Sequence, residues 1–283
     1  MLTLTRDTKR LTIIVIYIFL FIGMGTGLYF LFRPTPTCMD GKQNQNETGM
    51  DCGGVCAQAC VETATGEDLI IRDVVVLSLE NDTYDVVARV YNPNNTVGAE
   101  AFTYTLRFLD GAGVEVASTS NTSWILPQET KTLLAFALSA SSKPAKATLE
   151  ITDVTWERLT NYDGKPRLGV YNKRYEKGFQ AGELGGVATG LVTNESGYDF
   201  RLVTIKVILR DKEGKPLAIN QTDRRTFLDG QQHEFRLTWP TPFRGEVATV
   251  ETEIDADVYR SDNFLRRYLP ASRSQELLPQ GGY

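Results

Sequence analysis

From Leu11 to Phe32 the chain reads LTIIVIYIFLFIGMGTGLYFLF, a run of 22 residues without a charge. A helix of that length reaches roughly 33 Å at about 1.5 Å per residue, enough to cross the hydrocarbon core of a bilayer. Ile, Val, Leu and Phe are favourable at mid-membrane, and no ionisable group opposes them. Tyr17 and Tyr29 suit the two interfaces, and Arg33 followed by Pro34 ends the run. A cleavable signal peptide has a shorter apolar region, about 7–15 residues, and a small-residue cleavage site. The stretch LYFLFRPTPT offers no such site. The expectation is an uncleaved signal-anchor that crosses the cell membrane once. Arg6, Lys9 and Arg10 precede the span, offset by Asp7, and Arg33 and Lys42 follow it. That bias favours a cytoplasmic N-terminus. Residues 1–10 then form a cytoplasmic stub, 11–32 the transmembrane helix, and the rest lies outside the cytoplasm. Gly23 and Gly27 make one G-x-x-x-G pair, which chance composition explains more readily than helix association.

All four cysteines, Cys38, Cys52, Cys56 and Cys60, follow in one segment, CMDGKQNQNETGMDCGGVCAQAC. In an extracytoplasmic setting, an even and clustered count reads as a disulfide framework. Large apolar residues are nearly missing here, so covalent links must replace a core. Four cysteines allow three pairings. Zinc is the competing reading, but structural knuckles favour C-x2-C pairs, and the intervals here are longer. Asp40, Asn44, Glu47 and Asp51 are interleaved with Gly41, Gly49, Gly53 and Gly54. Oxygen ligands among bend-permitting glycines could wrap one calcium ion. The alternative is a polar loop whose Asp and Asn set turns.

This segment resembles a short motif of microbial secreted and surface proteins, approximately C-x-D-G-x-x-N-x-x-E-x-x-x-D-C-G-G-x-C-x-x-C. Cys38, Asp40, Gly41, Asn44, Glu47, Asp51, Cys52, Gly53, Gly54 and Cys56 match it, and Cys60 departs by one position. It is also similar to the disulfide-linked calcium repeats of thrombospondin type 3. The resemblance implies an extracellular linker, here residues 33–66.

Beyond the linker, landmarks recur about one hundred positions apart. VVARVYNPNNTVG from Val86 and GVATGLVTNESGYD from Gly186 lead alternating apolar residues into Asn92 and Asn194. YTLRFLDGAG and KVILRDKEG carry Asp110 with Gly113 and Asp211 with Gly214. WILPQET parallels TFLDGQQ, and TLEITDVTWER ending at Arg158 parallels VETEIDADVYR ending at Arg260. Phe102, Tyr104, Leu106 and Phe108 alternate, as do Ile205, Val207 and Leu209, so each set shares one sheet face. Leu133, Ala135 and Ala137 alternate, and Phe235, Leu237 and Trp239 repeat that pattern. The D-x-x-G pairs read as hairpin turns with glycine at positive φ. Close-spaced strands separated by turns predict β-sandwiches. The fold class expected is all-β, with two tandem β-sandwiches, 67–158 and 159–260, after the transmembrane helix and disulfide-rich linker; the resemblance given next implies that they are immunoglobulin-like. The tail, 261–283, is short and polar and reads as a frayed end.

The strand and turn Val207-Ile208-Leu209-Arg210-Asp211 with Gly214 resembles the signature of FxLYD-type domains, Val replacing the aromatic and Arg the Tyr. Leu106 to Asp110 with Gly113 follows it more loosely, and Asn92 and Asn194 match the strand-ending Asn of that family. The related water-stress domain of late-embryogenesis-abundant proteins is similar too. Both families are immunoglobulin-like sandwiches, and neither implies an enzymatic activity.

Charge and composition narrow the function. There are 35 Asp and Glu against 30 Lys and Arg, and the net charge of −5 argues against a nucleic-acid partner. The single histidine, His233, reads as a surface residue. It leaves little for His-based catalysis. No G-x-S-x-G elbow is present, and Gly182-Glu183-Leu184-Gly185-Gly186 lacks the Lys-Ser/Thr ending of a phosphate loop. Asp153, Asp255 and Asp257 read as solvated turn acids, and Trp124, Trp156 and Trp239 as core packing. Asn46, Asn81, Asn94, Asn121, Asn194 and Asn220 each begin N-x-S/T. The expectation is a non-enzymatic membrane-anchored protein with a protein partner in the envelope. The alternatives are a calcium-dependent surface module and, less favoured, an envelope enzyme.

Overall fold

The computed structural model describes residues 6–32, 37–57, 60, 64–80, 82–178, 185–240 and 243–269. The chain forms two compact units, residues 1–61 and 62–283. The first contains helix α1 (Arg6–Phe32), whose stretch Arg10–Tyr29 is long and apolar enough to cross a membrane.

The second unit is built of strands: β1 (Ile70–Ser78), β2 (Thr83–Tyr91), β3 (Val97–Leu109), β4 (Glu115–Ile125), β5 (Thr130–Ser139), β6 (Lys146–Arg158), β7 (Leu168–Lys177), β8 (Gly186–Asn194), β9 (Phe200–Arg210), β10 (Pro216–Phe227), β11 (Gln232–Trp239) and β12 (Thr249–Ala256). They make four antiparallel three-stranded sheets, ordered β1-β2-β5, β4-β3-β6, β11-β8-β7 and β10-β9-β12. In each half the first, second and fifth strands share one sheet, and the fourth, third and sixth share the other. The fold is all-β with two sandwiches.

The alternating residues fill the cores. Phe102, Tyr104, Leu106 and Phe108 meet Tyr84, Val86, Ala88 and Val90 in the first. Val203, Ile205, Val207 and Leu209 meet Ala188, Val192, Phe235, Leu237 and Trp239 in the second. One alternation breaks. Ala137 takes a left-handed conformation (φ 49°) beside a register shift, so it is exposed while Leu138 packs on the core.

The sheet β1-β2-β5 also packs on β10-β9-β12 of the other sandwich. Leu77, Val87, Ile208 and Ile219 are buried there, with Val75 and Leu134 beside them. Burying each such side chain stabilises by about 1.5–3 kcal/mol relative to exposure. β2 and β9 are therefore covered on both faces. Their sequences, DVVARV and LVTIKVIL, accordingly run apolar rather than alternating strictly.

Equivalent turns carry equivalent bonds. Asn92, fully buried, donates from Nδ2 to the carbonyls of Val97 (2.9 Å) and Leu126 (3.0 Å), and its Oδ1 accepts from the Asn94 N–H. Asn194, also fully buried, donates to Tyr198 (2.8 Å) and Phe227 (3.1 Å), and its Oδ1 accepts from the Ser196 N–H. Asp110 accepts from the N–H groups of Ala112 and Val114, and Asp211 from those of Glu213 and Lys215. Gly113 and Gly214 complete these hairpins at φ 82° and 78°, where a side chain would be strained.

The C-terminal segment differs from the frayed end expected of it. After a short turn, Val258–Arg260, helix α2 (Asp262–Tyr268) buries Phe264, Leu265 and Tyr268 in the second core. Arg266 and Arg267 stay on its solvent side, which is why the segment looks polar as a string. Residues 270–283 lie outside the described residues.

An Asn bridging two loops through a buried amide should be hard to replace. Asn92→Ala and Asn194→Ala are each expected to lose about 1–3 kcal/mol in urea unfolding, because two carbonyls are left without donors. Asn95→Ala, at an exposed position of ordinary backbone, should change little.

Candidate functional site

Where the sandwiches meet, charges are buried. Lys131 on β5 is fully buried, Lys206 on β9 is 7% exposed at its side chain, and Asp255 on β12 is 12% exposed. The Lys131 Nζ lies 3.3 Å from Asp255 Oδ1, and the Lys206 ammonium pairs with Asp255 Oδ2. Lys206 also donates to the Thr132 carbonyl across the interface, and Glu253 Oε1 accepts from the Thr132 N–H at 2.9 Å. Lys131 sits over the ring of Trp124 at 3.0 Å, while Tyr259 meets that ring edge-on. Glu129 pairs with Lys165 (2.6 Å) in the segment joining the sandwiches, and accepts from the Leu126 N–H.

Burial alone would raise the Asp255 carboxyl. The ammonium groups of Lys131, Lys206 and Lys165 outweigh it and hold the carboxyl well below the usual carboxylate range. Burial also works against the Lys206 ammonium, but Asp255 and Glu253 overcome it and raise its pKa. For Lys131, burial prevails over the attraction of Asp255 and Glu129 and pulls the ammonium down. The firm core of the cluster is thus Lys206 with Asp255. Lys131 is the member held at greatest cost. Asp257, half-buried two residues on, is pushed up by burial against the pull of Arg260 and Lys131.

These groups border a cavity of about 230 Å³ between the sandwiches, lined by Trp124, Leu134, Thr204, Lys206, Asp255 and Asp257 among others. Chemically the arrangement is a latch. Asp255 is kept ionised and has no proton to donate near neutral pH, and the lysines spend their charges on it. The expectation that Asp255 is a solvated turn acid is therefore overturned: β12 carries it into the interface, where two lysines from different strands neutralise it. Asp153 is exposed, as expected, and Asp257 is intermediate. Trp239 is buried, whereas Trp124 and Trp156 are half-buried. His233, on β11, is partly covered by Phe227, and its Nδ1 lies 2.8 Å from Arg224. Burial and that guanidinium hold its pKa below the ordinary value.

The cysteine segment is compact by itself. Cys38 pairs with Cys56 and Cys52 with Cys60. No free thiolate remains for zinc. By loop-closure entropy the first link, spanning 18 residues, contributes roughly 3 kcal/mol. Asp40, Asn44, Glu47 and Asp51 do come together. Asp51 accepts from the N–H groups of Asp40 (2.9 Å) and Gly41 (2.9 Å). Asn44 donates to Asp40 (3.0 Å), and Glu47, buried, accepts from the N–H groups of Asn44 and Asp51. The oxygens thus brace the loop, as capping and Asx-type bonds do. Gly54 is required at φ 60°, because a side chain there would meet the Asn46 carbonyl.

No protein-family profile matches the chain, and no curated protein matches it. Among solved structures, red sea bream transglutaminase aligns at 12% identity over 66% of this chain and 29% of its own, with a TM-score of 0.23. An exo-chitosanase from Amycolatopsis orientalis, in complex with PNP-beta-D-glucosamine, aligns at 17% identity over 67% and 25%, with a TM-score of 0.22. The chain thus spans under a third of either, and likeness this distant carries no functional argument.

Two substitutions separate the members of the latch. Asp255→Ala leaves the buried Lys131 ammonium without its ion-pair partner and Lys206 with only Glu253 at 3.6 Å, and should lose about 3–5 kcal/mol in denaturant unfolding. Lys131→Met keeps the Lys206–Asp255 pair and should stay within about 1.5 kcal/mol of the parent. Because the folded pKa of Asp255 is depressed, its contribution is complete above the unfolded carboxylate value near 4 and is lost as pH falls towards the folded value. The stability gap between the parent and Asp255→Asn should therefore narrow as pH drops below about 5.

Proposed function

We propose that this chain is a single-pass envelope protein with a cytoplasmic N-terminus, whose disulfide-linked stalk carries two immunoglobulin-like domains for a non-enzymatic role in protein interaction, adhesion or surface assembly. The observation that carries this reading is the sequence of elements: a membrane-length apolar helix, two disulfides in the next 30 residues, and then two β-sandwiches. An apolar N-terminal helix with disulfides fits a membrane-anchored or secreted protein held in an oxidising compartment. The matching strand orders and the paired roles of Asn92 with Asn194 and Asp110 with Asp211 support a duplicated domain of the FxLYD or water-stress kind.

The interface latch supports a rigid two-domain unit, which presents its edges in fixed relation. β7 is an edge strand whose stretch 172–174 is exposed, and β4 is one edge of its sheet. Such edges take a partner strand by main-chain hydrogen bonding. A second reading is a calcium-dependent module using Asp40, Asn44, Glu47 and Asp51. One observation favours it: the Asn44 Oδ1 is buried without a donor, in the same loop as Asp40 and Asp51.

Protease shaving of intact cells tests the topology. Residues beyond 33 should be cleaved while residues 1–10 are protected, and the reverse pattern would exclude the proposal. Calorimetric titration of the oxidised protein with calcium tests the second reading. Heat at millimolar calcium that disappears in Asp51→Asn is its expected signature, and an athermal titration with an unchanged melting temperature rejects it.

A further inference from the structure

Six of the chain's twelve asparagines open an N-x-S/T triplet, whereas random placement of its serines and threonines would produce about two. All six lie beyond the apolar span. The fold sorts them. Asn194 is fully buried, with Nδ2 committed to two loop carbonyls. Asn94 Nδ2 donates to the Glu67 carbonyl (2.9 Å) and to Asn92 Oδ1 (2.8 Å), pinning the entry to the first sandwich. Asn220 Nδ2 donates to the Thr238 carbonyl at 2.8 Å, between β10 and β11. Asn81 lies outside the described residues.

Two remain. Asn46 is exposed in a turn at φ 66°, a left-handed conformation that Asn tolerates, and Thr48 at the third position is exposed as well. Asn121 is exposed on β4, whose outer edge pairs with no other strand. Its Nδ2 has one long contact, 3.4 Å, to Thr119 Oγ1.

We infer that Asn46 and Asn121 are N-glycosylation acceptors, and that the sequons at Asn94, Asn194 and Asn220 stay unmodified in the folded protein. The inference rests on the extracytoplasmic placement proposed above. The donor is a lipid-diphosphate-linked oligosaccharide, acted on by an oligosaccharyltransferase of the host membrane. The side-chain Nδ2 bonds to the anomeric carbon, the bond from that carbon to the diphosphate oxygen breaks, and the lipid diphosphate leaves with the electron pair. Nδ2 gives up one proton and remains an amide nitrogen. At Asn46 and Asn121 this costs no buried hydrogen bond and no core volume. At Asn194 a glycan would have to displace the packed turn.

The test is glycopeptide mass spectrometry on the full chain purified from its native membranes, with protease protection measured on the same membranes. The expected result is a glycan mass on the peptides carrying Asn46 and Asn121 and none on Asn194. Thr48→Ala and Asn121→Gln should each remove one glycan, and Asn121→Gln should do so without lowering the melting temperature. Unmodified Asn46 and Asn121 on a chain that proteases show to be extracytoplasmic would overturn the inference alone. A protected, unmodified chain would overturn it together with the topology. A glycan on Asn194 in folded protein would overturn the sorting rule.

Discussion

Asp255 sits between two ammonium groups, one from each sandwich, and the geometry of the second unit depends on that arrangement. A buried carboxylate is costly without partners, and so is a buried lysine. Lys206 and Asp255 satisfy each other within the second sandwich, whereas Lys131 meets that carboxylate only when the sandwiches are docked. The apolar contacts among Leu77, Val87, Ile208 and Ile219 supply attraction but little direction. The charges supply direction: a slide of one residue along β12 would replace Asp255 by a neighbour pointing to the opposite face. Arg89 with Asp73 and Arg210 with Glu251 add partly exposed pairs on the same sheets.

Within each sandwich, polar side chains do the work of closing loops. Asn92 and Asn194 are short enough to reach two carbonyls and to take an N–H in return, so every polar atom of the side chain is used. Asp110 and Asp211 cap their hairpins with acceptor oxygens, while glycine takes the positive φ. The cysteine segment solves the same problem covalently. It lacks large apolar residues, and two disulfides with inward-turned carboxylates hold its loop. Glu47 illustrates this, accepting two backbone N–H groups near the Cys38–Cys56 link.

The latch was only partly legible beforehand. Lys206 interrupts the apolar run LVTIKVIL, and a lysine inside a strand covered on both faces signals a buried counter-ion. The signal did not identify Asp255, which lies 49 positions away, or Lys131, in the other sandwich. Ala137 and α2 were misread for local reasons. A left-handed residue breaks a period of two, and in a seven-residue helix two adjacent arginines mask three buried side chains.

Sequence alone determined what depends on near neighbours along the chain. The apolar span follows from 22 consecutive uncharged residues, the disulfide character from four clustered cysteines, and the strands and hairpins from alternation and D-x-x-G turns. Tertiary structure decided what depends on residues distant in the chain. It selected one of three cysteine pairings, docked α2 on the second core, and turned Asp255 from a solvent acid into the centre of an interface. The physical reason is that periodicity and turn chemistry act over a few residues. The burial of a charge depends on what the folded chain brings opposite it, and no window of sequence contains that.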